Sequence, residues 1–146
     1  MFKLSAVAKR VTLLLALFGY SAVLTSCGAI GLGGGNALND ARPTGIVVKQ
    51  AQFFAASGQT GITGTALIFL NTASSYILRL EGLNVPEESS MQVKIFLSPS
   101  GLVTLSLRGT SGNQNYNFTS PASGFLSVSI FSTITQTNYA TATFTN

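Results

Sequence analysis

The chain has 146 residues, 46% of them hydrophobic and 8% charged, with 8 Lys and Arg against 4 Asp and Glu, a single Cys, no His and no Trp. That length suits one domain; the lack of His removes the commonest general base and metal ligand, and one Cys excludes an internal disulfide, a thiolate zinc cluster and an iron–sulfur cage. A net charge of +4 raises nucleic-acid binding, so the placement of the cations decides that question.

The first element is a basic n-region, Lys3, Lys9 and Arg10, followed by an uncharged apolar run from Val11 to Leu24. This is the layout of a secretory signal, and the run is short for a bilayer span. Leu24-Thr25-Ser26-Cys27 resembles the bacterial lipobox, in which an aliphatic residue and two small residues precede the Cys that receives lipid. Residues 1–26 are therefore expected to be a lipoprotein signal peptide, with Cys27 the lipidation site and the link to a membrane. A lipid-capped thiol cannot act as a nucleophile or redox centre. Gly28 follows Cys27 in place of the Asp that retains lipoproteins at the inner membrane of many diderm bacteria, which points to the outer membrane of a bacterial cell envelope. Beyond Cys27 the balance is Arg42, Lys49, Arg79, Lys94 and Arg108 against Asp40, Glu81, Glu87 and Glu88, or +1. No basic cluster remains, so no nucleic-acid partner is expected.

Residues 27–43 are Gly-rich and close at Pro43, which predicts a flexible tether, because Gly density opposes a stable helix. A phosphate-cradling loop would need a preceding strand and a following Lys-Ser/Thr, and neither is present. Residues 44–146 read as a single β domain. Tyr76, Leu78 and Leu80 alternate with Ile77, Arg79 and Glu81; Val93, Ile95 and Leu97 alternate with Lys94 and Phe96. Val103, Leu105 and Leu107 do the same against Thr104, Ser106 and Arg108, as do Leu126, Val128 and Ile130 against Ser127 and Ser129. Period two with one apolar face marks half-buried strands. Turn signals fall between them at Ser57-Gly58, Asn84-Val85-Pro86, Ser98-Pro99-Ser100-Gly101 and Ser111-Gly112-Asn113. The fold class is all-β, an antiparallel sandwich or barrel of about eight strands. Two longer apolar runs, Phe53–Ala56 and Thr65–Leu70, predict a central strand covered on both faces or a crossing at the rim, against an exposed apolar patch.

Catalytic constellations are thin. Glu87-Glu88 follows Pro86 in a turn, where solvated charges are ordinary, and the many serines have no His base. Arg79 and Glu81 share one strand face and are expected to form a solvent-exposed pair of little energetic weight. The acidic residues are too dispersed for a calcium loop, and no metal site is expected. Asn113 to Phe118 is the best candidate for a binding surface, because amides donate and accept and Tyr116 could stack on a sugar or a partner protein. The alternative is a turn feeding an edge strand whose tyrosine closes one end of the fold.

The run Gly58–Ala66, then Tyr76–Leu83, Met91–Ser98, Leu105–Phe118, Val128–Ser132 and Tyr139–Phe144, resembles in order and spacing the electron-transfer domain of Skeletor-type proteins, the DM-thirteen domain, over roughly residues 53 to 145. Its most specific pieces are Leu107-Arg108-Gly109 and Gly112-Asn113-Gln114-Asn115-Tyr116. The resemblance implies a compact exterior β domain with a redox role that leans on a Cys, where this chain has Ser132, and on a His, where it offers Gln59 and Thr60. A hydroxyl cannot cycle to a disulfide, so these departures weigh against electron transfer. The expectation is a non-enzymatic, membrane-anchored lipoprotein domain without a cofactor. Gln59, Gln114, Tyr116 and Ser132 are its candidate binding surface, for an envelope protein or a glycan.

Overall fold

The computed structural model describes residues 37–86, 88–120 and 124–145. The signal segment 1–26, Cys27, the tether as far as residue 36, and Glu87 lie outside the described residues. Alternation of apolar residues produces ten strands in chain order: β1 (Leu38–Asn39), β2 (Ile46–Gln52), β3 (Phe54–Ala55), β4 (Thr63–Thr72), β5 (Ser75–Asn84), β6 (Met91–Ser98), β7 (Gly101–Ser106), β8 (Ser111–Thr119), β9 (Gly124–Ser132) and β10 (Thr137–Thr143). They form two five-stranded sheets, β1-β8-β5-β4-β2 and β3-β10-β9-β6-β7. All neighbours are antiparallel except β1, which runs parallel to β8. Of the expected sandwich or barrel the sandwich is found, with ten strands in place of about eight. The two-residue strands β1 and β3 are too short to carry a period-two signal.

One face of each sheet supplies the core. Ala66, Ile68, Leu78, Leu80, Tyr116 and Phe118 from the first sheet meet Val93, Ile95, Leu97, Phe125, Val128 and Ile130 from the second. Full burial of each large aliphatic side chain contributes about 1.5–3 kcal/mol. Tyr76, Phe118 and Phe125 add an aromatic cluster, with ring centroids 4.9 to 6.1 Å apart. Phe53 is buried where the chain passes from β2 in one sheet to β3 in the other, so the first apolar run is a crossing, and its neighbour Phe54 is 70% exposed.

Two details depart from simple alternation. In β9 the inward residue is Phe125, and Leu126 points to solvent. A bulge opposite Phe96 and Leu97 inserts one extra residue and flips the phase before Val128 and Ile130 return to the core. In β4, Ala66, Leu67, Ile68 and Phe69 are all buried, so this central strand is covered on both faces. Its second face is covered from the N-terminal side. After β1, at one edge of the sheet, residues 40–45 pass across to β2 at the other, and Arg42 lies over the Phe69 ring at 5.9 Å. The packed body therefore begins before position 44, and residues 38–43, which composition assigns to the tether, are a strap bound to the sheet. Gly112 permits this docking: its φ is +92°, and a Cβ there would stand 2.0 Å from the Leu38 carbonyl oxygen.

Candidate functional site

The pleat of β8 divides the amide-rich run Asn113–Phe118 into two sets. Gln114, Tyr116 and Phe118 turn inward and are buried, while Asn113 and Asn115 turn outward onto the strap. Asn115 Nδ2 donates to the Ala41 carbonyl at 2.7 Å, and its backbone N–H donates to the Asp40 carboxylate at 2.7 Å. Asn113 Nδ2 reaches Asn39 Oδ1 at 3.0 Å, and Asn113 Oδ1 accepts from the Gly82 N–H at 2.9 Å. The amides expected to face a partner thus hold the protein's own N-terminal segment. Nor is β8 an edge strand, because β1 flanks it.

Arg79 corrects a second expectation. Its side chain is only 4% exposed, not solvated. The guanidinium donates to Glu81 Oε1 at 3.0 Å, to the Asp40 carbonyl at 3.0 Å, to the Ala41 carbonyl at 3.3 Å and to Asn115 Oδ1 at 3.0 Å. A planar fork of five donors can satisfy carbonyls of the strap and side chains of the sheet together. Burial of a cation is tolerated because its donors are engaged. Next to it, Arg108 pairs with Asp40 through both terminal nitrogens, at 2.5 and 3.3 Å.

Beside this clamp lies a cleft of about 760 Å³ lined by two chain segments, Glu88–Gln92 and Ser106–Thr110, together with Leu38 and Thr133. The Leu107 N–H donates to the Met91 carbonyl at 2.9 Å and ties the segments to each other. Residues behind the cleft fix both. On one side, Tyr116 Oη accepts the Arg108 N–H at 2.9 Å and donates to Gln114 Oε1 at 2.6 Å, while Gln114 Nε2 donates to the Gly109 carbonyl at 2.6 Å. On the other, Ser132 Oγ donates to Glu88 Oε1 at 2.5 Å and Tyr139 Oη donates to Glu88 Oε2. The Ser90 carbonyl accepts from Thr133 N–H and Oγ1 at 3.1 and 2.9 Å, and Ser90 sits at φ 62°, a left-handed conformation uncommon for a residue with a Cβ.

Of the residues expected to form a binding surface, three support this cleft from the interior and one stands apart. Gln114 and Ser132 have no exposed surface and Tyr116 is 7% exposed, so none can touch a ligand in this structure. They act on it through Arg108, Gly109 and Glu88. Gln59 lies in the turn after β3, where its N–H donates to the Ala56 carbonyl, and it does not line the cleft. Sequence reasoning passed over Asp40, Asn115 and Arg108 as a unit, since they are up to 75 positions apart. Glu88, expected as an ordinary solvated charge, is a half-buried carboxylate with two hydroxyl donors.

The electrostatics follow from these contacts. Hydrogen bonds from Ser132 and then Tyr139 hold the Glu88 carboxyl below its ordinary value, and Glu88 in turn raises the Tyr139 hydroxyl. The Arg108 guanidinium and the Asn115 N–H lower Asp40, and Asp40 raises Arg108. Burial raises Tyr116. The cleft therefore presents a carboxylate and a guanidinium, both moved away from neutral pH and both fully charged there. Such groups serve recognition better than proton transfer, which needs a group poised near the working pH. Comparison with known protein-family models, with curated proteins and with solved structures found no match for this chain.

Proposed function

We propose that this protein is a membrane-anchored extracytoplasmic lipoprotein whose β-sandwich is a non-catalytic interaction module of the bacterial envelope. The observation that carries this reading is the locked cleft: Glu88 and Arg108 line it as charged groups, and Gln114, Tyr116 and Ser132 hold its two segments from behind. Holding both rims in place lowers the entropy lost when a partner docks. Serine and threonine hydroxyls between the two charges suit a hydroxyl-rich or peptide partner, an envelope glycan or protein. The position that a redox reading would need, Ser132, spends its hydroxyl on Glu88 and accepts the Thr135 N–H at 3.2 Å.

The anchor is tested by replacing Cys27 with Ala in the full chain. Loss from the membrane fraction is expected, and unchanged membrane association would overturn the lipoprotein reading. The same freed protein tests the cleft. It should be retained on purified envelope fragments, and Thr110→Trp, which fills the cleft from a half-buried lining position, should abolish that retention. Equal retention of the two proteins would remove the cleft from the function.

A further inference from the structure

The two sheets end in four edge strands, β1 and β2 in the first and β3 and β7 in the second. Two of them, β1 and β3, have two residues each and offer little to a partner. The seven-residue β2 carries Lys49 and a bulge between Val47 and Lys49, both of which discourage pairing with another chain. The remaining edge, β7, is Gly-Leu-Val-Thr-Leu-Ser, with no charge and no Pro, and its register with β6 is unbroken from Gln92↔Ser106 to Leu97↔Gly101. Among the described residues it pairs only with β6.

The phase of its backbone can be read. The Leu107 N–H donates to the Met91 carbonyl, which makes that the hydrogen-bonded kind of antiparallel pair. Alternate residues then follow the same rule, so Leu105 and Val103 spend their backbone groups on β6. Leu102, Thr104 and Ser106 turn theirs toward the open edge. Their side chains point to solvent, and Leu102 is 54% exposed. Val103 and Leu105 lean on the core and are only partly buried, since nothing lies beyond them on the edge side.

We propose that β7 is a self-association edge, on which a second copy of this chain adds its own β7 antiparallel about a two-fold axis through Thr104. Self-pairing opposes each strand with itself, which a neutral strand allows and which β2, with its lysine, resists. In this register Thr104 meets Thr104 of the other copy as a hydrogen-bonded pair, and Leu102 meets Ser106 twice. All three residues with free backbone groups are thereby used. Val103 comes opposite Leu105 on the inner face, so the two half-buried side chains cover each other, and the sheets of two copies join into one. A strand-edge contact is smaller than the roughly 1,200 Å² of a stable interface, so the pairing is weak in dilute solution. It gains from confinement of both copies to one surface, where effective concentration is high. That enhancement rests on the anchoring proposed above; the pairing geometry does not.

The test places one new cysteine at a time in the full chain and oxidises intact envelopes. Thr104→Cys should give a disulfide dimer of twice the chain mass, because the pair places the two Cα atoms about 5.5 Å apart, within disulfide range. Gln50→Cys on β2 should give only the background set by Cys27. In parallel, Thr104→Pro removes two hydrogen bonds across the axis while sparing those to β6. It should raise the dissociation constant measured by sedimentation of the purified chain roughly thirtyfold without moving its unfolding midpoint. A Thr104→Cys signal no stronger than that of Gln50→Cys overturns the proposal, as does a crosslink only to a protein of different mass. A Thr104→Pro protein that is folded and sediments as the parent does overturns it too. Failure of the anchoring reading would show separately, as unchanged membrane association of the Cys27→Ala protein.

Discussion

Tyr116→Phe is the most direct test of the idea that buried side chains hold the cleft. The substitution keeps the ring and its packing and deletes one hydroxyl that serves two partners, the Arg108 N–H at 2.9 Å and Gln114 Oε1 at 2.6 Å. The Arg108 N–H loses its acceptor in a part-buried position. Gln114 has no exposed surface, and its carbonyl is left without a donor, at a cost of about 1–3 kcal/mol. For a domain of this size that lowers the melting temperature by roughly 4–12 °C. Gln114→Leu is the harsher change, since it strands both the Gly109 carbonyl and the tyrosine hydroxyl, at about 2–6 kcal/mol. The double variant removes both ends of the bond between the two side chains and should cost less than the two singles together by about 1 kcal/mol. Urea or thermal unfolding followed by circular dichroism measures all four proteins. A Tyr116→Phe protein within about 0.3 kcal/mol of the parent, or strictly additive singles, would refute the coupling.

Other expectations concern the strap and the charges. Gly112→Ala should cost about 1–3 kcal/mol and expose residues 38–45 to limited proteolysis, because the new methyl meets the Leu38 backbone; Gly82→Ala, at φ +58° with open space around it, should leave the strap protected and cost less. Arg79→Met should destabilise by about 2–4 kcal/mol and release the same segment, since four acceptors lose their shared donor. On pH, Glu88 and Asp40 have folded values below their ordinary 4.5 and 3.8, so their contribution is complete above those values and is lost as pH falls through the lower, folded ones. Acid unfolding monitored below pH 4.5 should therefore be shallower for Glu88→Gln than for the parent. Tyr116 and Tyr139 are raised above 10.0, so stability present below that pH is lost as pH rises beyond it; Tyr139→Phe should soften the alkaline limb.

Period two in the stretches around Tyr76, Val93 and Val103 was enough to place β5, β6 and β7, because alternation is a property of neighbouring residues and the face it defines is the one that is buried. The same reasoning placed Leu126 on the wrong face. A one-residue bulge depends on the partner strand across from it, and nothing in Gly-Phe-Leu-Ser-Val announces it. Composition assigned residues 38–43 to a tether, and strand alternation assigned Arg79 to solvent; only the docked strap reverses both. It does so through contacts such as Arg79 to Asp40 across 39 positions.

The candidate site divides in the same way. Asn113 to Phe118 stood out in the sequence by its run of amides, and Ser132 only through the resemblance to a known domain family. Which way they point was not legible, because in a strand one position decides between interior and surface. Tertiary structure turned Gln114, Tyr116 and Ser132 inward to hold Arg108, Gly109 and Glu88. Sequence alone determined the fold class, the near-neutral domain and the absence of charge from Gly101 to Ser106, all of which depend on residue type and local order; that this strand is an edge was decided by the sheet topology. The strap, the cleft and the buried arginine were decided only when residues distant in the chain met, because a hydrogen bond is specified by geometry that no local pattern encodes.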